Sequence, residues 1–313
     1  MRKVIVLGLM ALLSMTSVSA QIKEGKLIFE RKTNMRKMIT DPEMRARIPE
    51  FRTEKFELIF NDQASMFKTI PDDEAPDPFA NSGGDRGGGG ARFMFRMPEV
   101  NIYTDLNTQL QLEARSMFEK DFLITDTLKP LKWKLSEETK TIAKYVCKKA
   151  TTSIVPQQLN MRLGGGGGRP GGGGGGGNRG DGGGRPGGGG GGNRGGVSFN
   201  TGGVNISAGG DTAGQKPKEI EIVVWYTESI PVSVGPDTYA GLPGAILEVD
   251  SDNGSTVITA LEYNAKYSAK ELKQPTKGDK MSRAKFMDTL QELFKGMQNG
   301  SGGITIRAGN FNQ

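Results

Sequence analysis

Asp72, Asp73, Glu74 and Asp77 crowd into one short stretch, a concentration of hard oxygen atoms that could hold calcium. Prolines break the run and its spacing fits no EF-hand loop, so a solvated acidic loop is the expectation. Asp250-Ser-Asp-Asn-Gly254 resembles the start of a calcium loop, but the distant Glu that would complete one is missing. Gly254 is instead explained by a tight hairpin turn. No metal site and no cofactor are expected.

The chain has no histidine. That removes the usual general base, the Ser–His and Cys–His nucleophile pairs, and the commonest zinc sites. Carboxylates are plentiful, yet no pair stands in a supporting motif for glycoside hydrolysis. A phosphate-binding glycine loop would need a strand before it, a helix after it and a Lys at a set place. None is present, and an enzyme is not expected. The single cysteine, Cys147, cannot form an internal disulfide. It reads as a small buried residue within Thr141–Ala150, on a face shared with Ala143 and Tyr145.

The most structured signal is Tyr239-Ala-Gly-Leu-Pro-Gly-Ala-Ile-Leu-Glu-Val249. Pro243 suits the second position of a β-turn, and Gly244 after it could take the positive φ of a type II turn. Gly241 would let the backbone pass close to a neighbour. Gly241, Leu242, Pro243 and Gly244 are therefore candidate binding residues, against the simpler reading of a structural turn. Trp225 and Tyr226 join them: neighbours on one strand point to opposite faces, so one should be inside and the other available for contact.

These residues sit among short alternating segments. Strands are expected at Lys26–Thr33, Lys55–Phe60, Ala64–Thr69, Val100–Asp105, Gln109–Glu113, Ser116–Ile124, Leu131–Leu135, Thr141–Ala150, Glu219–Thr227, Ile246–Asp250 and Thr256–Tyr263. Residues 34–50 could hold a short helix or an ordered loop. Lys280–Gln298 changes period, placing Phe286, Leu290, Leu293, Phe294 and Met297 on one side of an amphipathic helix. The predicted fold is mainly β: a curved open antiparallel sheet or half-barrel with that C-terminal helix packed on it. A β-sandwich or closed barrel is the alternative.

Residues 1–20 have the form of a signal peptide. Arg2 and Lys3 precede the apolar run Val4–Leu13, and Val18-Ser-Ala20 makes a small-residue cleavage site. The apolar run is too short to span a bilayer, and no membrane span is expected after cleavage. Removing Arg2 and Lys3 takes the formal charge from +6 to +4, no footprint for a polyanion partner. Residues 21–299 read as one β-rich domain with two interruptions: an acidic, Gly-containing loop at 71–92 and a Gly/Arg-rich insert at 164–196. In the insert, 24 of 33 residues are Gly and four Arg face one Asp, so it cannot build a core. It lacks aromatic residues for base stacking, and nucleic acid is not an expected partner. Residues 300–313 read as a flexible tail.

Trp133-Lys-Leu, Glu138–Thr151, Val224-Trp-Tyr-Thr-Glu-Ser-Ile-Pro231, Gly235-Pro236 and Gly241-Leu-Pro-Gly-Ala-Ile-Leu-Glu248 occur in the order known from one family. The chain resembles GLPGLI proteins over about residues 22–298, with Ala245 where the family has Leu and with the two interruptions as departures. The resemblance implies an exported envelope protein of a bacterium with two membranes, of the periplasm or associated with the outer membrane. Members often accompany TonB-dependent outer-membrane transporters. The family has no established catalytic residues, so none carries over. The expectation is a non-enzymatic binding or accessory protein for such a transporter or for surface assembly. The alternative is a periplasmic carrier of a lipid or apolar peptide in a half-barrel cleft.

Overall fold

The computed structural model describes residues 22–37, 42–71, 99–117, 120–155, 157–161, 197–201, 204–208 and 219–298. The expected signal peptide, the acidic loop beyond Pro71, the Gly/Arg insert and the expected tail from residue 300 lie outside them.

Alternation decides the first strand. In β1 (Gly25–Asn34), Leu27, Phe29, Arg31 and Thr33 are buried while Lys26, Ile28, Glu30 and Lys32 are not, as a pleated strand with one core face requires. β2 (Phe51–Phe60), β3 (Ala64–Ile70), β4 (Asn101–Asp105), β5 (Leu110–Met117) and β6 (Lys120–Thr127) follow as a meander of antiparallel neighbours, with runs of consecutive buried residues because both faces are covered in places. On its other side β1 pairs with β14 (Thr256–Asn264), followed by β13 (Ala245–Ser251), β12 (Ile220–Thr227), β8 (Tyr145–Ile154) and β7 (Lys134–Ile142). With β15 (Asp279–Ser282) beside β6, the order is β15-β6-β5-β4-β3-β2-β1-β14-β13-β12-β8-β7. The sheet has 12 strands and stays open. It is mixed, because β15 lies parallel to β6. Register breaks at Ile28/Phe29, Trp225/Tyr226 and Leu135/Thr139 mark its bends, and β7 comes round to touch β14.

The inner face, defined by Leu27, Phe29 and Arg31, holds the main core: Phe56, Leu58, Phe60, Phe67, Ile102, Val224 and Val249 join it. A smaller cluster of Ala64, Met66, Tyr103, Leu112 and Leu123 lies on the opposite face of β3–β6, under Leu272. Leu272 ends a short 3-10 helix, Ala269–Leu272, on the connection from β14 to β15. Helix α1 (Pro42–Arg47) occupies the connection between β1 and β2. Helix α2 (Arg283–Gln298) follows β15 directly. Phe286, Leu290 and Leu293 are its buried stripe, and Phe286 meets Phe122 of β6 edge to face, centroids 5.4 Å apart.

Three expectations are corrected. The helix begins at Arg283, not Lys280, since residues 279–282 extend the sheet edge. Ser116 and Met117 belong to β5, and β6 begins at Lys120. Thr141–Ala150 is not one strand: Ala143 and Lys144 turn the chain with φ of 46° and 76°, so Ala143 does not line a face with Cys147. No glycine or asparagine announces that turn. Around the insert, β8 and β12 pair with each other through Ile154↔Ile220 to Lys148↔Tyr226. A three-stranded sheet stands between them in sequence, with β11 (Val204–Ala208) flanked by β9 (Gln157–Met161) in parallel and β10 (Val197–Thr201) antiparallel.

Candidate functional site

The connection from β12 to β13, Glu228–Gly244, lies on the inner face. Its Ile230, Val232 and Val234 alternate like a strand and are all buried, as is Leu242. Two backbone bonds hold it beside the start of β13: Ala245 N–H donates to the Ile230 carbonyl at 2.9 Å and Ile246 N–H to that of Val234 at 2.8 Å. Its return limb is held by the Trp133 indole N–H, which donates to the Ala240 carbonyl at 2.9 Å, and by Gly241 N–H donating to Ser233 Oγ at 2.9 Å. The loop is a plug. A small cleft remains between it and β3–β5, lined by Phe67, Ile102, Thr104, Gln111, Asp237 and Tyr239 among others, with room for about one water molecule.

The two glycines exchange the roles expected of them. Gly241 carries the left-handed φ of +92°, and a Cβ there would lie an ordinary 3.6 Å from Trp133 Nε1. Gly244 has no positive φ; its Cβ would stand 2.0 Å from the Thr227 carbonyl oxygen and 2.7 Å from its carbon. Pro243 and Gly244 thus do not form a type II turn. Gly244 is required because β12 ends against the backbone where β13 begins. Leu242 is buried and Pro243 exposed.

Tyr226 is buried at 2% exposure. Trp225 is half-buried on the other face, paired with Glu248 and Lys149, and Lys140 Nζ lies 5.6 Å from its ring centroid. Lys140 also donates to both oxygens of Glu248 at 2.8 Å. Cys147 is fully buried nearby, and burial pushes its thiol up to about 11. The six predicted residues therefore do not converge on one site: the glycine segment closes the plug, while Trp225 belongs to the opposite face.

What converges is a set of charges on the inner face. Glu113 is 1% exposed. It accepts from Arg115 Nε and, at 2.8 Å, from Arg283 Nη2, whose Nε donates to Asp126 at 2.5 Å. Burial alone would raise the Glu113 carboxyl, but the Arg115 and Arg283 guanidinium groups outweigh it and hold it below the usual range. Arg283 thereby ties the first turn of α2 to β5 and β6. Farther along, Arg31 lies 4.2 Å over the Phe56 ring and 3.6 Å from Asp237 of the plug. Its Nε has no hydrogen-bond partner. Asp237 sits at a φ of 59°, and burial raises its carboxyl more than Arg31 lowers it. Tyr239, partly buried beside it, is raised mainly by its burial, with the Asp237 charge adding to the effect.

Chemically, Glu113 is saturated by two guanidinium groups and is not placed as a proton acceptor. Among the described residues no group of three or more Asp, Glu, Cys or His could hold a metal ion. Sequence reasoning passed over Arg31, Glu113, Arg115, Asp237, Tyr239 and Arg283, which come from four separate segments of the chain. One signal was available: Arg31 continues the inward Leu27–Phe29 register, and a charge at a core-facing position must be paired or used.

A family model described as a protein of unknown function (Porph_ging) matches residues 133–248. That stretch contains β7, β8, the insert, β12 and the plug. No curated protein matches the chain. Among solved structures, two crystal forms of PNGF-II are similar at 12% identity, with TM-scores of 0.45 and 0.44 and 85% of this chain covered. The chain spans 33% and 32% of those two chains, about a third of their length.

Proposed function

We propose that this chain is a GLPGLI-type protein exported to the envelope, where it binds another protein without catalysing a reaction. Its partner would be an outer-membrane TonB-dependent transporter or a surface-assembly factor. The ordered motifs from Trp133 to Glu248 support the family reading, and the matched family model covers the same stretch. The observation that carries the binding reading is the filled inner face. With Ile230, Val232, Val234 and Leu242 packed there, contact falls to side chains left exposed elsewhere on the sheet. Leu135 and Val146 on β7–β8 are each 63% exposed and Val155 just beyond is 59% exposed, at the β7 end of the sheet. Addition of a partner strand is the less suited mode, because β7 is broken at Leu135/Thr139 and carries Lys134, Glu137, Glu138 and Lys140.

The test is native mass spectrometry on protein purified gently from its own envelope. A stoichiometric protein partner, reduced in yield by the L135S/V146S double variant, is the expected result. A bare monomer that also resists cross-linking in intact cells would overturn the proposal, as would a partner retained undiminished by the variant.

A further inference from the structure

We infer that Arg31 is a seat for the carboxylate of a single-chain apolar ligand, and that Asp237 with its plug is the protein's own occupant of that seat. Arg31 is 5% exposed and rises from an apolar strand face, with Leu27 and Phe29 before it and the Phe56 ring beneath it. A guanidinium has five donors in a rigid fork suited to taking a carboxylate through two bonds. Here it receives much less. The nearest Asp237 oxygen is 3.6 Å away, beyond a hydrogen bond, and Nε is unpartnered. Glu54 stands opposite Arg31 on β2, but its bonded oxygen takes Arg52 at 3.0 Å, and its other oxygen is buried without a hydrogen bond. A buried cation left this poorly matched is costly.

The plug has the outline of the ligand. Ile230, Val232 and Val234 are buried in the main core, and the carboxylate of Asp237 follows three residues later beside the cation. An apolar run ending in a carboxylate is the form of a fatty acid. Hydrogen bonds donated by Ala245, Ile246, Trp133 and Gly241 hold the plug in place, and a small cleft lies beside Asp237 and Tyr239. A ligand that replaced it would lie along Phe67, Ile102 and Val224, with its head on Arg31. Such binding goes beyond the partner-binding reading and does not depend on it.

Titration of the full-length exported protein with dodecanoate tests this, with dodecanol as the control. D237N keeps the plug's shape but removes its charge, and should tighten dodecanoate binding about tenfold or more. R31M should weaken dodecanoate by a similar factor and leave dodecanol unchanged. Equal dodecanoate affinity in wild type and D237N, or no loss with R31M, overturns the assignment. Hydrogen exchange on the unmodified protein is decisive even if a variant fails to fold. Saturating dodecanoate must strip protection from the Ala245 and Ile246 amides, which now donate to the plug; unchanged protection means the plug is permanent core. That failure would leave the partner-binding proposal standing.

Discussion

Gly244→Ala isolates the contact on which the β12–β13 connection depends. The added Cβ would stand 2.0 Å from the Thr227 carbonyl oxygen, 2.7 Å from its carbon and 3.1 Å from Glu228 Cα. Carbon–oxygen contacts close to about 3.3 Å at best, so two backbones must part by roughly 1 Å. Neither can do so freely. Thr227 pairs with Ala245, its hydroxyl donates to the Val146 carbonyl at 2.9 Å, and Ala245 N–H donates to Ile230 at 2.9 Å. Overpacking costs about 1–3 kcal/mol, and each backbone bond lost adds about 1 kcal/mol. The expected destabilisation is about 3–5 kcal/mol, or a fall in Tm of roughly 6–12 °C for a domain of this size. Gly241→Ala meets nothing closer than 3.6 Å and pays only for a left-handed residue, about 1–2 kcal/mol. Thermal and urea unfolding followed by circular dichroism give both values. Gly244→Asn sharpens the comparison, because Asn tolerates positive φ but carries the same Cβ. A Gly244→Asn protein as stable as wild type, or one less harmed at 244 than at 241, would refute the close-approach argument.

Glu113→Gln should cost about 3–5 kcal/mol at neutral pH, since Arg115 and Arg283 would be left buried around a neutral amide; urea midpoints at constant slope report it. The pH dependence follows from the same group. Its folded pKa is depressed, so its contribution is fully present above the unfolded value near 4.5 and is lost as pH falls through the lower folded value. Asp237, raised in the fold, acts in the opposite sense, favouring the folded state more as it is protonated. The difference in Tm between wild type and Glu113→Gln should therefore narrow on acidification below that value, and a constant difference would contradict the assignment. Cys147 should resist alkylation in the native protein at pH 8 and react once unfolded, because it is fully buried with its thiol pushed to about 11; rapid native labelling would show that the β7–β8 hairpin opens.

The amino-acid order by itself determined the β-rich class, most strand positions and the covered stripe of the late helix. Alternation along Gly25–Asn34 and the recurrence of Phe286, Leu290 and Leu293 are local patterns, and burial of one face follows from either period. It also marked the 239–249 stretch as structurally demanding. Which demand falls on which glycine was decided by tertiary contact: Gly244 is needed because of Thr227, seventeen residues earlier. The Ala143–Lys144 turn was hidden because neither residue favours positive φ, and the strands on both sides impose it. The charged inner layer was hidden for a related reason. Arg31, Glu113, Asp237 and Arg283 stand on four separate segments, and only the curl of the sheet, the plug and the docked helix bring their charges within reach of one another. Local propensity has no range over such separations; packing does.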